Sequence, residues 1–97
     1  MRPVLVVDVL ALARALLAAQ ADERGAVARR LIAEAQDADL YRQGCGNSHP
    51  FLGDGTIAAR CLLTRPPAEP GPDSPDHLDA MAVAARELGG WLRLAGC

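Results

Sequence analysis

The chain has 97 residues, enough for one small domain whose core must be thin. Its basic residues are all arginines. Its net charge is −2, so no overall positive field attracts nucleic acid. Its apolar runs fall far short of the about 20 residues that a membrane span requires. We therefore expect a protein with no membrane partner.

The expected core is poor in bulky side chains. Apolar residues make up 51% of the chain, but alanine outnumbers leucine and there is one Phe, one Tyr and one Trp. Alanine buries little area, whereas a fully buried leucine or phenylalanine contributes roughly 1.5–3 kcal/mol. Close helix–helix approach and burial against another subunit can both compensate, and small domains often oligomerise. We expect both, and hence a homo-oligomer.

The cysteines indicate the compartment. Cys45, Cys61 and Cys97 are odd in number and show no paired spacing. The apolar N-terminal segment carries Asp8 and Arg14 and leads straight into a charged helix, unlike a secretory signal. We expect a cytoplasmic protein with reduced thiols.

The β-branched residues 4–9 resemble the opening strand of an α/β domain. No later run matches them, and one strand cannot form a sheet, so we predict an extended arm and then a helix over residues 9–20. Asp8 is the expected N-cap, because its carboxylate can accept the amide protons of a first helical turn. The predicted apolar face comprises Leu10, Leu12, Ala13, Leu16 and Leu17.

The second predicted helix covers residues 23–43, with Asp22 as N-cap and Gly44 as a left-handed stop. Its apolar face follows the helical period at Val27, Leu31, Ile32, Ala35 and Ala38. The candidate nucleic-acid contacts on this helix are Arg24, Arg29, Arg30 and Arg42. Acidic residues alternate with them, which favours a solvated mixed-charge face, and nonspecific DNA binding is kept as an alternative function.

The most informative segment is the loop CGNSHPFLGDGT, residues 45–56, because packing a core does not require it. Glycine permits positive φ and proline fixes φ, so we predict a loop of definite shape. Asp54 or Thr56 is expected to cap a third helix over residues 56–64. The residues expected to shape the loop are Gly44, His49, Pro50, Gly53, Asp54 and Gly55. Loops of this kind often carry function.

Residues 65–75 hold five of the seven prolines and form a semi-stiff connector. Ser74 and Pro75 then read as N-cap and first residue of a fourth helix over residues 75–94, which Gly89 and Gly90 should fray or kink. Its predicted face comprises Leu78, Met81, Ala82, Ala85, Leu88 and Leu92. The prediction is an all-α, four-helix single domain over residues 1–97.

The loop also carries side chains with chemical potential. Cys45, His49 and Asp54 could hold a metal or form a nucleophile, but zinc sites usually show paired ligands, and catalysis needs an oxyanion hole and a cleft. The Gly-rich stretch lacks the strand and the spacing of a nucleotide fingerprint. We therefore predict no enzyme activity, no metal and no cofactor. A thiol- or metal-dependent regulator using Cys45 and His49 is kept as an alternative.

Five short motifs carry a resemblance. They are M-R-P-V-L at residues 1–5, then Asp8, A-D-x-Y-R at residues 38–42, H-P-x-x-G-D-G-[ST] at residues 49–56, and S-P-D at residues 74–76. On these residues the chain resembles a small, uncharacterised family of helical proteins from Rhodobacter-like alphaproteobacteria. The resemblance implies a four-helix fold and no particular activity. It also implies an association with phage-derived particles such as gene transfer agents, as a DNA-packaging subunit similar to a small terminase.

Phe51 and Leu52 stand where a basic-aromatic pair is expected in that family, which argues against a nucleic-acid role for the loop. An aromatic residue on a shaped loop and another near the C-terminus are suitable anchors for a protein partner. We therefore predict a non-catalytic, oligomeric helical adaptor. Its expected partner-binding residues are Phe51, Leu52 and Trp91.

Overall fold

Four α-helices form most of the computed structural model, which describes residues 2–71 and 73–95. Met1, Pro72, Gly96 and Cys97 lie outside the described residues, so the prediction for Cys97 is not addressed by the structure. The helices are α1 (Val6–Leu16), α2 (Arg24–Cys45), α3 (Ile57–Leu62) and α4 (Pro75–Ala95), with a 3₁₀ turn at Ala21–Glu23. The described part of the chain holds no β-strand, and the predicted all-α fold is confirmed.

Helices α2 and α4 lie side by side and run in the same direction. Arg24 in the first turn of α2 binds Asp76 in the first turn of α4, and Arg29 binds Glu87 farther along. The end of helix α1 meets the start of α2, where the carbonyl of Leu16, the last residue of α1, accepts a hydrogen bond from Arg24 Nε at 3.0 Å. The connector before α4 crosses back over α1, where Arg14 Nε donates to the Pro67 carbonyl at 3.1 Å.

The core is shared by all four helices. Its largest fully buried side chains are Leu12, Leu16, Leu31, Ile32, Ile57 and Cys61. Alanines fill the remaining contacts, at Ala13, Ala28, Ala35, Ala38, Ala80 and Ala84. These small side chains let the helix backbones approach closely, as the composition predicts.

Two predicted N-caps are wrong. Helix α1 begins at Val6, before the predicted start, so Asp8 lies inside the first turn. Its buried carboxylate accepts the Leu5 N–H at 2.8 Å and, from α3, the Ala58 N–H at 2.9 Å. Asp22 lies exposed in the 3₁₀ turn, and no cap hydrogen bond is made there among the described residues. Asp8 instead joins two helices, which is a long-range role that local spacing does not reveal.

The predicted stop at Gly44 is also wrong. Gly44 is helical, and Gly46 takes the left-handed conformation with φ of 80°. Its N–H donates to the Arg42 carbonyl at 2.8 Å and so closes the last turn. The sequence offers two glycines two residues apart, and the path of the loop selects the second one.

The buried face of helix α4 overlaps the predicted one at Leu88, and Met81 is partly buried, but the other predicted positions are exposed. Leu78 and Leu92 are about half exposed, and Ala82 and Ala85 face solvent. The residues that the helix buries are His77, Ala80, Val83, Ala84 and Leu88. The glycine pair does not fray the helix, because α4 continues through Gly89 and Gly90 to Ala95. Small residues at the contact bring the helices together, and this leaves leucines outside.

Candidate functional site

The tip of the loop closes on itself around His49. The His49 N–H donates to the Gly53 carbonyl at 2.9 Å, and the Gly53 N–H donates back at 3.3 Å. The His49 ring accepts, at Nδ1, the N–H groups of Phe51 at 3.0 Å and Leu52 at 3.1 Å. The His49 ring therefore fixes the turn by accepting two loop amides at Nδ1.

The second half of the loop forms the start of α3. Asp54 Oδ1 accepts the Thr56 hydroxyl at 2.7 Å and the Thr56 N–H at 3.0 Å. These hydrogen bonds hold the pKa of Asp54 below its usual value. Thr56 in turn accepts the Ala59 N–H at 3.1 Å, so Thr56 is the N-cap, one of the two predicted candidates. Asp54 orients the cap.

The loop is seated on α2 at Gly55. Gly55 is buried with φ of 96°, and a Cβ there would lie 2.8 Å from Asp39 Cβ and 2.9 Å from Asp39 Cα. Asp39 is itself buried and accepts Arg42 Nη2 at 2.8 Å and Gln43 Nε2 at 2.9 Å. The Arg42 hydrogen bond lowers the pKa of Asp39. Sequence reasoning missed Asp39, because on a mixed-charge helix it looks like any solvated residue.

Three aromatic rings lie close together beside this loop: Tyr41, His49 and Phe51. The Tyr41 ring meets the His49 ring edge to face at 4.7 Å between centroids, and the His49 and Phe51 rings are 6.2 Å apart. Phe51 is 79% exposed, Pro50 is exposed and Leu52 is partly buried. The loop therefore holds a large apolar side chain in water at a fixed position.

Trp91 lies on a different surface. It is partly buried against the core and lines a cleft of about 180 Å³ between α2 and α4. The cleft is lined by Arg29, Ile32, Glu87, Gly90, Trp91 and Leu94. The three predicted partner-binding residues thus fall into two groups, with Phe51 and Leu52 on the loop and Trp91 in the cleft.

The four arginines of α2 are engaged with carboxylates. Arg24 is buried, and its guanidinium donates to Asp76 at 2.7 Å, Asp79 at 2.9 Å and the Leu16 carbonyl at 3.0 Å. Arg24 is thus a structural residue, not the predicted surface contact for nucleic acid. The other three pairs are Arg29 with Glu87 at 3.0 Å, Arg30 with Glu34 at 3.7 Å and Arg42 with Asp39 at 2.8 Å.

The two thiols within the described residues lie in different environments. Cys45 is exposed, and its Sγ lies 3.7 Å from the Asn47 carbonyl. Its hydrogen bond with Tyr41 raises the pKa of that phenol. Cys61 is buried, and desolvation raises the pKa of its thiol to about 12. Among the described residues, no three His, Cys, Asp or Glu side chains converge as metal ligands would.

The buried thiol predicts alkaline destabilisation. Cys61 stays protonated in the folded chain but ionises in the unfolded chain above its ordinary pKa of 9.0. The free energy of unfolding should therefore fall, by about 1.4 kcal/mol per pH unit, as pH rises from about 9 towards about 12. Urea unfolding across this range in reductant measures the slope. A Cys61→Ala variant is the control, and an equal slope in both proteins contradicts the prediction.

Comparison with known proteins identifies one family that matches the chain. In the described residues, no helix is both long enough and apolar enough to cross a bilayer. No curated protein and no solved structure matches the chain. The family model described as a domain of unknown function, DUF7742, matches residues 2–88. The match extends from the arm before α1 through the whole loop and most of α4, and the chain belongs to this family.

Proposed function

We propose that the protein is a non-catalytic, oligomeric helical adaptor that binds another protein through the loop tip. The supporting observation is Phe51, which is 79% exposed on a loop closed by His49 and seated on Asp39. Burying a phenylalanine contributes roughly 1.5–3 kcal/mol, and aromatic residues are frequent hot spots of interfaces. Because the Phe51 side chain is exposed in the folded chain, this free energy is gained only when a partner covers it.

The rigidity of the loop supports the same proposal. A loop that is already ordered loses little conformational entropy when it binds, so more of the contact energy appears as affinity. The tip is held by two amides on His49, and the base is held at Gly55 by close packing on α2. Tyr41, whose ring contacts His49, is also exposed at this end of α2 and enlarges the apolar surface.

A second copy of the chain is proposed to pack on α1 and α3. The side chains that support this are exposed valines at the start of α1 and exposed leucines at the end of α3, of which one from each helix lines the same groove: Val6, Val7, Leu62 and Leu63. An apolar surface of this kind is typical of subunit contacts. The association with phage-derived packaging stays a prediction. DNA binding by α2 is less well supported, because Arg24 is buried and acidic residues offset the charges of the other arginines along this helix.

Site-specific photo-crosslinking tests the proposal. Replacing Phe51 with a benzophenone amino acid keeps a large apolar ring at the tip. Irradiation in the native host should give a discrete adduct of the chain with one partner protein. The same amino acid at Ala26, which is exposed on α2 away from the loop, is the matched control.

The mass of the adduct separates the outcomes. A heterologous adduct from position 51, with little from position 26, supports the adaptor. No adduct above the level of the Ala26 control contradicts it. A third probe at Leu62 should give an adduct at twice the mass of the chain, and light scattering that shows only monomer contradicts the oligomer.

A further inference from the structure

Gly90 occupies a position where nothing inside the fold requires glycine. It lies inside α4, and a Cβ built on it would meet no described atom within 4 Å. Glycine is the poorest helix former apart from proline, so alanine would serve the isolated chain better. Glycine is useful on a helix surface where another backbone approaches closely.

The surface beside Gly90 is apolar and open. The cleft between α2 and α4, which we call the Trp91 cleft, has Ile32 and Trp91 in its walls and Leu94 at its edge. Leu94 is 82% exposed. An open backbone next to an apolar groove is the geometry in which an amphipathic helix can lie.

Two exposed arginines flank Glu87 at this cleft: Arg29 lines the cleft, and Arg86 lies beside Glu87 outside the lining. The side chains of Arg29 and Arg86 are 64% and 68% exposed, whereas the Glu87 side chain between them is only 15% exposed. Both arginines are directed at Glu87, at 3.0 and 3.9 Å. One largely buried carboxylate facing two exposed guanidinium groups gives a positive rim on a chain whose net charge is −2.

We propose that the Trp91 cleft binds an acidic amphipathic helix of a partner protein, an inference that rests on the adaptor function proposed above. The open backbone at Gly90 admits a helix, Trp91 and Leu94 contact its apolar face, and Arg29 and Arg86 pair with its carboxylates. A second copy docked two-fold on the same cleft would bring like charges together, which disfavours it. The cleft and the loop tip then give the adaptor two separate binding surfaces.

Selection from a displayed peptide library tests the partner chemistry. The library consists of helical peptides with a leucine-rich face and a polar face randomised among Glu, Gln and Lys. The full chain should enrich peptides rich in Glu, and binding should weaken as salt rises. Peptides without a preference for Glu, or no enrichment above background, overturn the inference.

Two variants locate the binding. Gly90→Leu should raise the melting temperature by a few degrees, about 4 °C, because leucine is the better helix former and the site is open. The same variant should weaken binding of the selected peptide about tenfold or more, because the leucine side chain fills the space in which the peptide backbone would approach position 90. Ala82→Leu, on the solvent-facing side of α4, is the matched control and should leave binding unchanged.

The outcomes separate this inference from the adaptor function. Equal binding by the wild type and the Gly90→Leu variant overturns the cleft as the site. Cleft-dependent dimerisation in light scattering, lost in Gly90→Leu, overturns it in favour of a second copy. Crosslinking at position 51 reports the loop tip independently, so a failed peptide selection with an intact adduct refutes only the cleft.

Discussion

Replacing Gly55 with alanine is expected to lower the free energy of unfolding by about 3 kcal/mol, because positive φ and overpacking each cost a non-glycine residue about 1–3 kcal/mol. Gly55 has φ of 96°, and its missing Cβ would fall 2.8 Å from Asp39 Cβ. Asp39 cannot move easily, since it is buried and bonded to Arg42 and Gln43. Urea denaturation followed by circular dichroism measures the loss.

Gly44→Ala is the matched control for this substitution. Gly44 is helical, and no described atom lies within 4 Å of a Cβ placed there. Alanine should therefore raise the free energy of unfolding by about 0.5–1 kcal/mol. If Gly55→Ala has an equally small effect, the loop does not sit on Asp39. A displaced loop should also give less adduct from the crosslinker at position 51.

Replacing Arg24 with methionine should cost about 2–3 kcal/mol, near the lower end of what breaking a buried ion pair costs. Burial desolvates the guanidinium, which lowers its pKa, but the hydrogen bonds that it donates to Asp76 and Asp79 outweigh this and raise the pKa above its ordinary value. The two carboxylates are more than half exposed, so water can solvate them again once Arg24 is gone. The expected loss of folding stability comes mainly from the hydrogen bonds by which Arg24 connects α2 to α1 and α4.

A double-mutant cycle with Asp76→Asn and Asp79→Asn isolates the contribution of the pairs. The effect of Arg24→Met should shrink when both carboxylates are already neutral. Arg24→Lys keeps the charge but not the planar fork and should fall between wild type and Arg24→Met. An Arg24→Met loss below about 0.5 kcal/mol would place the contact among ordinary surface pairs and contradict the buried joint.

Much of the candidate site follows from local sequence. Glycine and proline spacing predicts a shaped loop, His49 is the histidine that closes it, and Thr56 caps the helix that follows. These features depend on neighbours within a few residues, which a sequence displays directly. The roles of Asp39 and Trp91 do not follow from their local sequence. The partner of Asp39 is Gly55 of the loop, and Trp91 faces Ile32 across a cleft, so their roles appear only when distant segments meet.

The sequence by itself determines the number and type of the helices, the start of α4 at Pro75 and the alanine-rich character of the core. Hydrophobic periodicity and the caps at Thr56 and Ser74 act over a single turn, so they need no tertiary information. Tertiary structure decides which face of α4 is buried, that Asp8 and Arg24 join helices, and that Phe51 and Trp91 stand apart. In a core built from alanine, several helix faces are almost equally apolar, and only the packing of whole helices can choose among them.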